Sequence, residues 1–330
     1  MLRCSVQRQP KSVFDGEGAM TAFSITEHRK MVARFLLLVA AGFLLLGVGP
    51  SARSETPTPR VRESKPWVKM ERNVVYGDES EPMHRGDIYV RGDLAKDSSS
   101  RLPAVIVIHG GAWTLGDKVN DTIHAKRLAE RGYWVMSINY RLAPAHPFPS
   151  QLEDCKRALD WVVKNAESLR VDPDRLGVWG YSAGGHLAAL LALQKEESKP
   201  AIKVCVSGGT PFDLSLIPKH TQTLKAVFGG TPAEVPDIYK KASPIEYVNS
   251  ESPPIFLFHG EKDWLVPTLF SDVMKQKLRE CGVEHEFVEV PGKGHLTTFV
   301  DMQIAEQSFC FMDEHLQPDS AWPLPQKKPQ

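Results

Sequence analysis

Short apolar segments alternate with amphipathic segments along most of this chain. From Trp67 onward, runs rich in β-branched and aromatic residues recur, and segments whose apolar residues lie about 3.6 positions apart separate them. The uninterrupted apolar run at 104–108 is typical of a strand that is buried on both faces of a sheet. This alternation predicts an α/β fold in which helices flank a mostly parallel sheet.

The pattern predicts strands, helices and one large insertion. Eight strands are expected at 67–76, 87–90, 104–108, 134–139, 176–180, 202–207, 254–259 and 286–290. The longer helices are expected at 122–131, 152–169, 183–193, 269–280 and 298–315. Between the sixth and seventh strands, residues 210–252 follow no regular period and mix aromatic side chains with lysines, which predicts a small, partly polar lid.

The amino-terminal region has the features of a secretory signal. Residues 35–49 form an apolar run that basic residues precede and small residues follow. This run is shorter than the roughly 20 residues of a membrane-spanning helix. The small side chains of Ala52 and Ser54 predict cleavage before Glu55. We therefore expect residues 1–54 to be a leader, with Met31 as an alternative start, and export to the periplasm or the extracellular space. A retained membrane anchor is the alternative.

Composition limits the remaining possibilities. The 330-residue chain has 40 basic and 40 acidic residues, so it lacks the positive field that attracts nucleic acid, and no nucleic-acid partner is expected.

Residues 55–316 are predicted to form one domain, and the proline- and lysine-rich residues 317–330 are predicted to form a disordered tail. Cys155, Cys205, Cys281 and Cys310 are widely spaced, and we interpret them as small buried side chains, with a disulfide as the alternative.

The sequence GYSAG at 180–184 directly follows a predicted strand and opens a predicted helix. In that context the G-x-S-x-G pattern forms a nucleophile elbow, a sharp turn that exposes the serine hydroxyl at the amino terminus of the helix. Glycines on either side remove the Cβ atoms that would clash in such a turn. We therefore predict that Ser182 is a nucleophile; a passive glycine-rich turn is the alternative.

A serine hydroxyl needs a base to take its proton and a third group to orient that base. After a nucleophile elbow the acid precedes the histidine along the chain, each just beyond a later strand. Asp263 follows the strand predicted at 254–259, and His295 follows the strand predicted at 286–290. The sequence therefore predicts Ser182, His295 and Asp263 as a catalytic triad.

Other histidines and acidic residues compete for these roles. His186 lies four residues after the predicted nucleophile on the same helix, and His259 ends a strand instead of following one. Glu261 is closer to the strand than Asp263, and Asp301 falls within a helix after the histidine. We therefore favour a structural role for both histidines and prefer Asp263 as the acid.

The sequence HGGAW at 109–113 follows the buried strand at 104–108. A loop at this place supplies backbone N–H groups to an oxyanion hole, together with the residue after the nucleophile. We predict that Gly110, Gly111 and Ala112 act with Ala183 in this way. A plain surface turn is the alternative.

Five segments, taken together in this order, carry a resemblance to a known family. They are HGGAW at 109–113, NYRLAPAHPFPSQLED at 139–154, GYSAGG at 180–185, HGEKDWLVP at 259–267 and PGKGH at 291–295. Residues 67–315 thereby resemble serine esterases of the α/β-hydrolase superfamily, in its hormone-sensitive-lipase and bacterial feruloyl- and acetyl-esterase (BD-FAE-like) branch. The resemblance implies cleavage of an ester or N-formyl bond without a cofactor. The residues near His84 and the pair Asp121/His124 lack the recurring spacing of metal ligands, so no metal is expected.

Two departures narrow the resemblance. Ala112 stands where hormone-sensitive-lipase relatives have a third glycine, and Tyr181 stands where they have an aspartate. Both features are closer to the feruloyl- and acetyl-esterase and kynurenine-formamidase-like relatives. Strand-like sequence begins soon after Glu55, which implies that the long helical cap of hormone-sensitive-lipase relatives is absent and that the site is open.

These observations lead us to expect an exported carboxylic-ester hydrolase acting on small-molecule or carbohydrate-borne esters with short acyl groups. Trp113, Tyr181 and Phe212 are the expected substrate-binding residues. A kynurenine-formamidase-like amidase, a serine peptidase and a non-catalytic binding protein remain alternatives. The sequence leaves the natural alcohol and the oligomeric state open.

Overall fold

The computed structural model describes residues 67–95, 101–194 and 201–316. The predicted leader at 1–54, with its apolar run at 35–49, and the predicted tail at 317–330 lie outside the described residues. Both therefore stay predictions. Within the described part of the chain, no helix combines the length and the apolar character needed to cross a membrane.

In the described residues, eight strands form one sheet, which confirms the predicted fold class. They are β1 (Val68–Val75), β2 (Arg85–Arg91), β3 (Leu102–Ile108), β4 (Trp134–Ile138), β5 (Val171–Tyr181), β6 (Val204–Gly208), β7 (Ile255–Gly260) and β8 (His285–Val290). The strand order is β1-β2-β4-β3-β5-β6-β7-β8. Strand β2 runs antiparallel to both of its neighbours, and the other pairs are parallel. The carboxyl ends of β3 and of β5 to β8 therefore meet at one edge of the sheet.

Helices cover both faces of the sheet. They are α1 (Thr122–Glu130), α2 (Ser150–Lys164), α3 (Ala166–Leu169), α4 (Ala183–Leu193), α5 (Lys225–Phe228), α6 (Pro236–Lys241), α7 (Leu269–Glu280), α8 (His295–Phe299) and α9 (Met302–Leu316). Strand β3 shows how the core is divided, because its alternate side chains point to opposite faces. Ile106 and Ile108 belong to a core cluster that includes residues of α2, α4 and α7, whereas Val105 and Val107 belong to a second cluster that includes residues of α1 and α9.

Two helices that the sequence predicts as continuous are each interrupted. The helix predicted at 152–169 divides at Asn165, whose side-chain amide donates to the carbonyl of Trp161 at 2.7 Å and so competes with the continuing helix. The helix predicted at 298–315 divides before α9. There the Asp301 carboxylate accepts from the backbone N–H of Gln303 at 2.9 Å, which caps the start of α9.

The insertion between β6 and β7 is more regular than the sequence predicts. It contains α5, α6 and the short turns Leu214–Leu216 and Pro244–Tyr247. Three of its four aromatic side chains pack inward and its lysines face the solvent. The buried aromatic residues are Phe212, Phe228 and Tyr239, and the exposed lysines are Lys219, Lys225, Lys240 and Lys241. The polar character seen in the sequence therefore belongs to the outer surface of the insertion.

Candidate active site

The turn between β5 and α4 presents Ser182 at the carboxyl edge of the sheet. Its backbone has φ 57° and ψ −124°, which non-glycine residues rarely adopt and which stores local strain. The N–H of Ser182 donates to the carbonyl of Gly208 at 2.7 Å and ties the turn to β6. A Cβ on Gly184 would overlap the carbonyl oxygen of Ile108, so glycine is needed for α4 to approach β3 this closely. This is the geometry of a nucleophile elbow.

Asp263 and His295 meet at the same edge of the sheet. Asp263 lies just beyond β7, and His295 begins α8 just beyond β8. The Nδ1 of His295 lies 2.6 Å from Oδ2 of Asp263, and both residues are only 7% exposed. Because the carboxylate can only accept, Nδ1 carries the proton and Nε2 is left with a lone pair. The imidazole is therefore arranged to take a proton at Nε2.

The Asp263 carboxylate is surrounded by donors. Its Oδ1 accepts from the backbone N–H groups of Leu265 and Val266, each at 2.9 Å. Its Oδ2 accepts from His295 and lies 3.2 Å from Nε2 of His259. Burial alone would raise the pKa of Asp263, but hydrogen bonds from His259 and His295 hold that pKa well below its ordinary value. The carboxylate therefore stays negative and can stabilise a protonated His295.

His259 belongs to this cluster, although the sequence gives it only a structural role. Its Nε2 lies 2.8 Å from the carbonyl oxygen of Val266, and its Nδ1 lies 2.7 Å from Oγ of Ser271. Since a carbonyl only accepts, Nε2 carries the proton and Ser271 donates to Nδ1. The sequence signal for this contact is its position four residues before Asp263, at the end of β7.

Tyr181 links the nucleophile turn to His295. Its hydroxyl donates to the backbone carbonyl of His295 at 2.7 Å, and the two rings lie 5.0 Å apart. Burial raises the pKa of Tyr181 well above its ordinary value, so the hydroxyl remains a donor. In the described part of the chain, Oγ of Ser182 has no hydrogen-bond partner. The structure therefore brings serine and histidine to adjoining turns without a direct bond between them.

The segment after β3 lies against this turn. A Cβ on Gly110 would come within 3.4 Å of the Cβ of Ser182. Gly111 and Ala112 have φ 120° and φ 51°, so the loop follows left-handed backbone conformations. Ala183 is the first residue of α4, where N–H groups have no partner within the helix. The four residues predicted to form the oxyanion hole are thus at two facing segments beside the serine.

An apolar cavity of about 100 Å³ opens beside Ser182. Trp113 and Ala112 form one side of it, and the insertion contributes Leu216 and Leu224. The segment after Asp263 and the start of α7 complete the wall. Of the described residues that line this cavity, none has a charged side chain, so it favours an apolar group next to the serine.

The predicted substrate-binding residues occupy three different positions. Trp113 lines the cavity. Tyr181 is buried and its hydroxyl is used by His295. Phe212 is fully buried in the core and is not among the residues lining the cavity. The insertion reaches the cavity through aliphatic side chains because its aromatic side chains are used in packing.

The described residues contain no cluster of three or more histidine, cysteine, aspartate or glutamate side chains that could hold a metal ion. Asp121 and His124 are buried 3.4 Å apart, and the ring of His124 stacks on Trp179 at 4.5 Å.

The sheet order, the elbow and the Asp263–His295 pair define an α/β hydrolase. Within that class the chain belongs to the BD-FAE family, whose model matches residues 87–278, more than half of the chain. Esterase LipQ of Mycobacterium tuberculosis is 35% identical over 227 residues, which are 63% of this chain and 53% of LipQ. The chain thus spans little more than half the length of that relative.

Solved structures agree with this fold. A truncated carbohydrate esterase from gut microbiota has 26% sequence identity and a TM-score of 0.68, covering 77% of this chain and 98% of that chain. An acetyl ester-xyloside bifunctional hydrolase from Caldicellulosiruptor lactoaceticus has 26% identity and a TM-score of 0.60, covering 73% of this chain and 91% of that chain.

Proposed function

We propose that this protein hydrolyses carboxylic esters through a covalent acyl-enzyme on Ser182. The observation that carries the proposal is the 2.6 Å bond between His295 and Asp263, next to a strained serine turn and an apolar cavity. The names of LipQ as an esterase and of the structural relative as a carbohydrate esterase support it.

In the proposed reaction, Oγ of Ser182 attacks the ester carbonyl while Nε2 of His295 takes its proton. The carbonyl oxygen becomes negative, and the backbone N–H groups of the predicted oxyanion hole stabilise it. The tetrahedral intermediate then breaks its bond to the alcohol oxygen, which leaves with the proton from His295. Water attacks the acyl-serine with His295 again as base, and the acid and free Ser182 are released. The proposal requires a hydrogen bond between Ser182 and His295 in the substrate complex, and such catalytic bonds often tighten only when substrate binds.

The cavity favours small acyl groups. Its volume is about 100 Å³, which is less than that of an engineered apolar cavity of about 150 Å³ that binds benzene. A feruloyl group, with a substituted ring and a propenoyl chain, is larger than this. We therefore propose a preference for acetyl to butyryl esters, carried on small alcohols or on carbohydrate. The acetyl ester-xyloside activity named for one structural relative supports the carbohydrate alternative.

We also propose that the chain is exported. The basic, apolar and small-residue regions ending near Ser54 support this, and polymer-borne esters occur outside the cytoplasm.

The test is a substrate panel with purified protein. It comprises p-nitrophenyl esters from acetyl to decanoyl, acetylated and feruloylated oligosaccharides, and N-formylkynurenine. We expect kcat/KM to be greatest between acetyl and butyryl. A maximum at eight carbons or more would contradict the short-acyl proposal, and N-formylkynurenine exceeding every ester would favour a formamidase.

The nucleophile is tested with the same substrates. Ser182→Ala should lower kcat by about 10⁶ and abolish labelling by a serine-directed phosphonate. Ser168→Ala, at an exposed serine in α3, is the matched control and should retain both properties. Turnover near the normal rate in folded Ser182→Ala would refute the proposed function.

A further inference from the structure

Trp113 forms a wall between the cavity beside Ser182 and the core. It lines the cavity but is only 2% exposed. Behind it, the ring of Phe228 lies 5.7 Å away, and Phe148 packs on Phe228 at the same distance. The indole therefore separates the cavity from the aromatic side chains of the core.

A buried hydrogen bond orients the indole ring. The Nε1–H of Trp113 donates to Nδ1 of His186 at 3.2 Å, and the rings meet edge to face. The Nε2 of His186 lies 2.6 Å from the carbonyl oxygen of Ala242 in the insertion. An indole nitrogen only donates and a carbonyl only accepts, so His186 must carry its proton on Nε2.

His186 can act as a permanent acceptor because it stays neutral. The residue is fully buried, and burial lowers its pKa to about 4. A flipped ring would satisfy neither neighbour, since the flip places the carbons Cδ2 and Cε1 where Nδ1 and Nε2 now lie. The imidazole thus connects three parts of the site, which are the insertion, the helix after the nucleophile and the loop after β3.

We propose that His186 is a positioning residue that holds Trp113 as the limit of the acyl site, and that Trp113 determines acyl-chain specificity. This inference rests on the proposed esterase function and adds the residues that set its substrate class. Freeing the indole would expose apolar surface toward Phe228 and let longer chains bind. Each methylene that gains such a contact raises kcat/KM about fourfold, the fold-change that corresponds to about 0.8 kcal/mol.

The experiment compares kcat/KM for hexanoyl and acetyl p-nitrophenyl esters in full-length variants. His186→Leu removes the acceptor, and we expect the hexanoyl-to-acetyl ratio to rise at least fourfold. His186→Asn places a carbonyl oxygen near the position of Nδ1 and should keep the ratio near that of the wild type. Trp113→Ala should raise the ratio more than His186→Leu does.

Trp179→Phe is a matched control for the indole hydrogen bond. Its Nε1–H is also buried and also donates over 3.2 Å, to Oγ of Ser308 on the opposite face of the sheet. This variant should leave the ratio unchanged. A double-mutant cycle completes the test, because His186→Leu should have no further effect once Trp113→Phe has removed the donor.

A readout without substrate separates this inference from the proposed function. In ¹⁵N spectra, the indole N–H signal of Trp113 is identified as the one that disappears in Trp113→Phe. This signal should shift in His186→Leu, and its proton should exchange faster with solvent. Neither change should occur in His186→Asn. An unchanged indole signal, or an unchanged ratio in folded and active His186→Leu, would overturn the inference. If His186→Leu does not fold, an unchanged hexanoyl-to-acetyl ratio in Trp113→Ala would also overturn the inference. A wild type that hydrolyses no ester would instead refute the proposed function.

Discussion

Asp263 accepts hydrogen bonds on both carboxylate oxygens. Asp263→Asn replaces one of these oxygens with an NH2 group and therefore tests whether Asp263 orients His295. In Asp263→Asn, an N–H facing Nδ1 of His295 would oppose the proton there and favour the wrong tautomer. We expect kcat to fall by about 10⁴, with little change in KM. Asp301→Asn, at the competing acid, should keep kcat within about twofold. An equal loss in both variants would show that Asp263 is not the acid.

The same residue predicts a pH dependence of stability. The folded-state pKa of Asp263 lies below its ordinary value, so its charge stabilises the fold above the unfolded-state pKa of about 3.9. This stabilisation is lost as the pH falls toward the folded-state pKa. We therefore expect the difference in Tm between wild type and Asp263→Asn to shrink as the pH is lowered from about 6 to about 3. A difference that stays constant over this range would contradict the assignment.

A variant of Tyr181 tests whether this residue supports His295 or binds substrate. Tyr181→Phe removes the hydrogen bond to the carbonyl of His295, so we expect a loss of about 1 kcal/mol in stability and a several-fold lower kcat. KM should hardly change, whereas a residue that contacts substrate would mainly raise KM. Tyr247→Phe removes an exposed bond of similar length, 2.8 Å to the carbonyl of Lys241, and is the matched control.

At the scale of elements, Arg131 adds ion pairs to the apolar packing that holds α9. Arg131 follows α1 and pairs with Asp313 and Glu306 on α9, and its guanidinium lies 5.8 Å from the ring of Phe309. Arg131→Met leaves the carboxylate of Asp313 largely buried without its cation. We expect a loss of about 2 kcal/mol and a Tm lower by roughly 4–8 °C.

Kinetic and thermal measurements together check this prediction. At low temperature kcat should be retained, because Arg131 does not contact the proposed site. Arg127→Met is the control: its pair with Glu130 is 41% exposed on the arginine side, and such pairs contribute about 0.5 kcal/mol or less. Equal losses in both variants would contradict the anchoring role of Arg131.

Strand β5 shows what the local pattern could not reveal. The sequence predicts residues 176–180, but the strand begins at Val171 and includes the polar segment DPDR. This first half pairs through Leu102 opposite Val171, and the register then shifts before Ala104 meets Leu176. Pairing of this kind depends on a distant partner and leaves no local periodicity. Helices α4 and α7, in contrast, have the predicted bounds. The nucleophile turn marks the start of α4, and the apolar spacing of α7 is local.

At the scale of the whole molecule, topology explains which parts of the site were predictable. The triad candidates were found because parallel strands deliver their carboxyl ends to one edge, so chain order and strand ends are enough to locate them. The contact of His259 with Asp263 and the burial of Phe212 depend on side-chain direction and packing. Neither follows from chain order.

The predicted cleavage site before Glu55 separates the leader from the domain that carries the proposed site. All strands that position Asp263, His295 and the elbow begin at or after Val68, so a protein that starts near Glu55 retains every element of the proposed site. In the native host we expect the mature amino terminus near Glu55, by intact mass and amino-terminal sequencing. Ala52→Lys puts a large charged residue where the processing enzyme needs a small one, and should prevent cleavage. Retention of residues 35–49 in cytoplasmic wild-type protein would refute export, and their retention in membranes would favour an anchor.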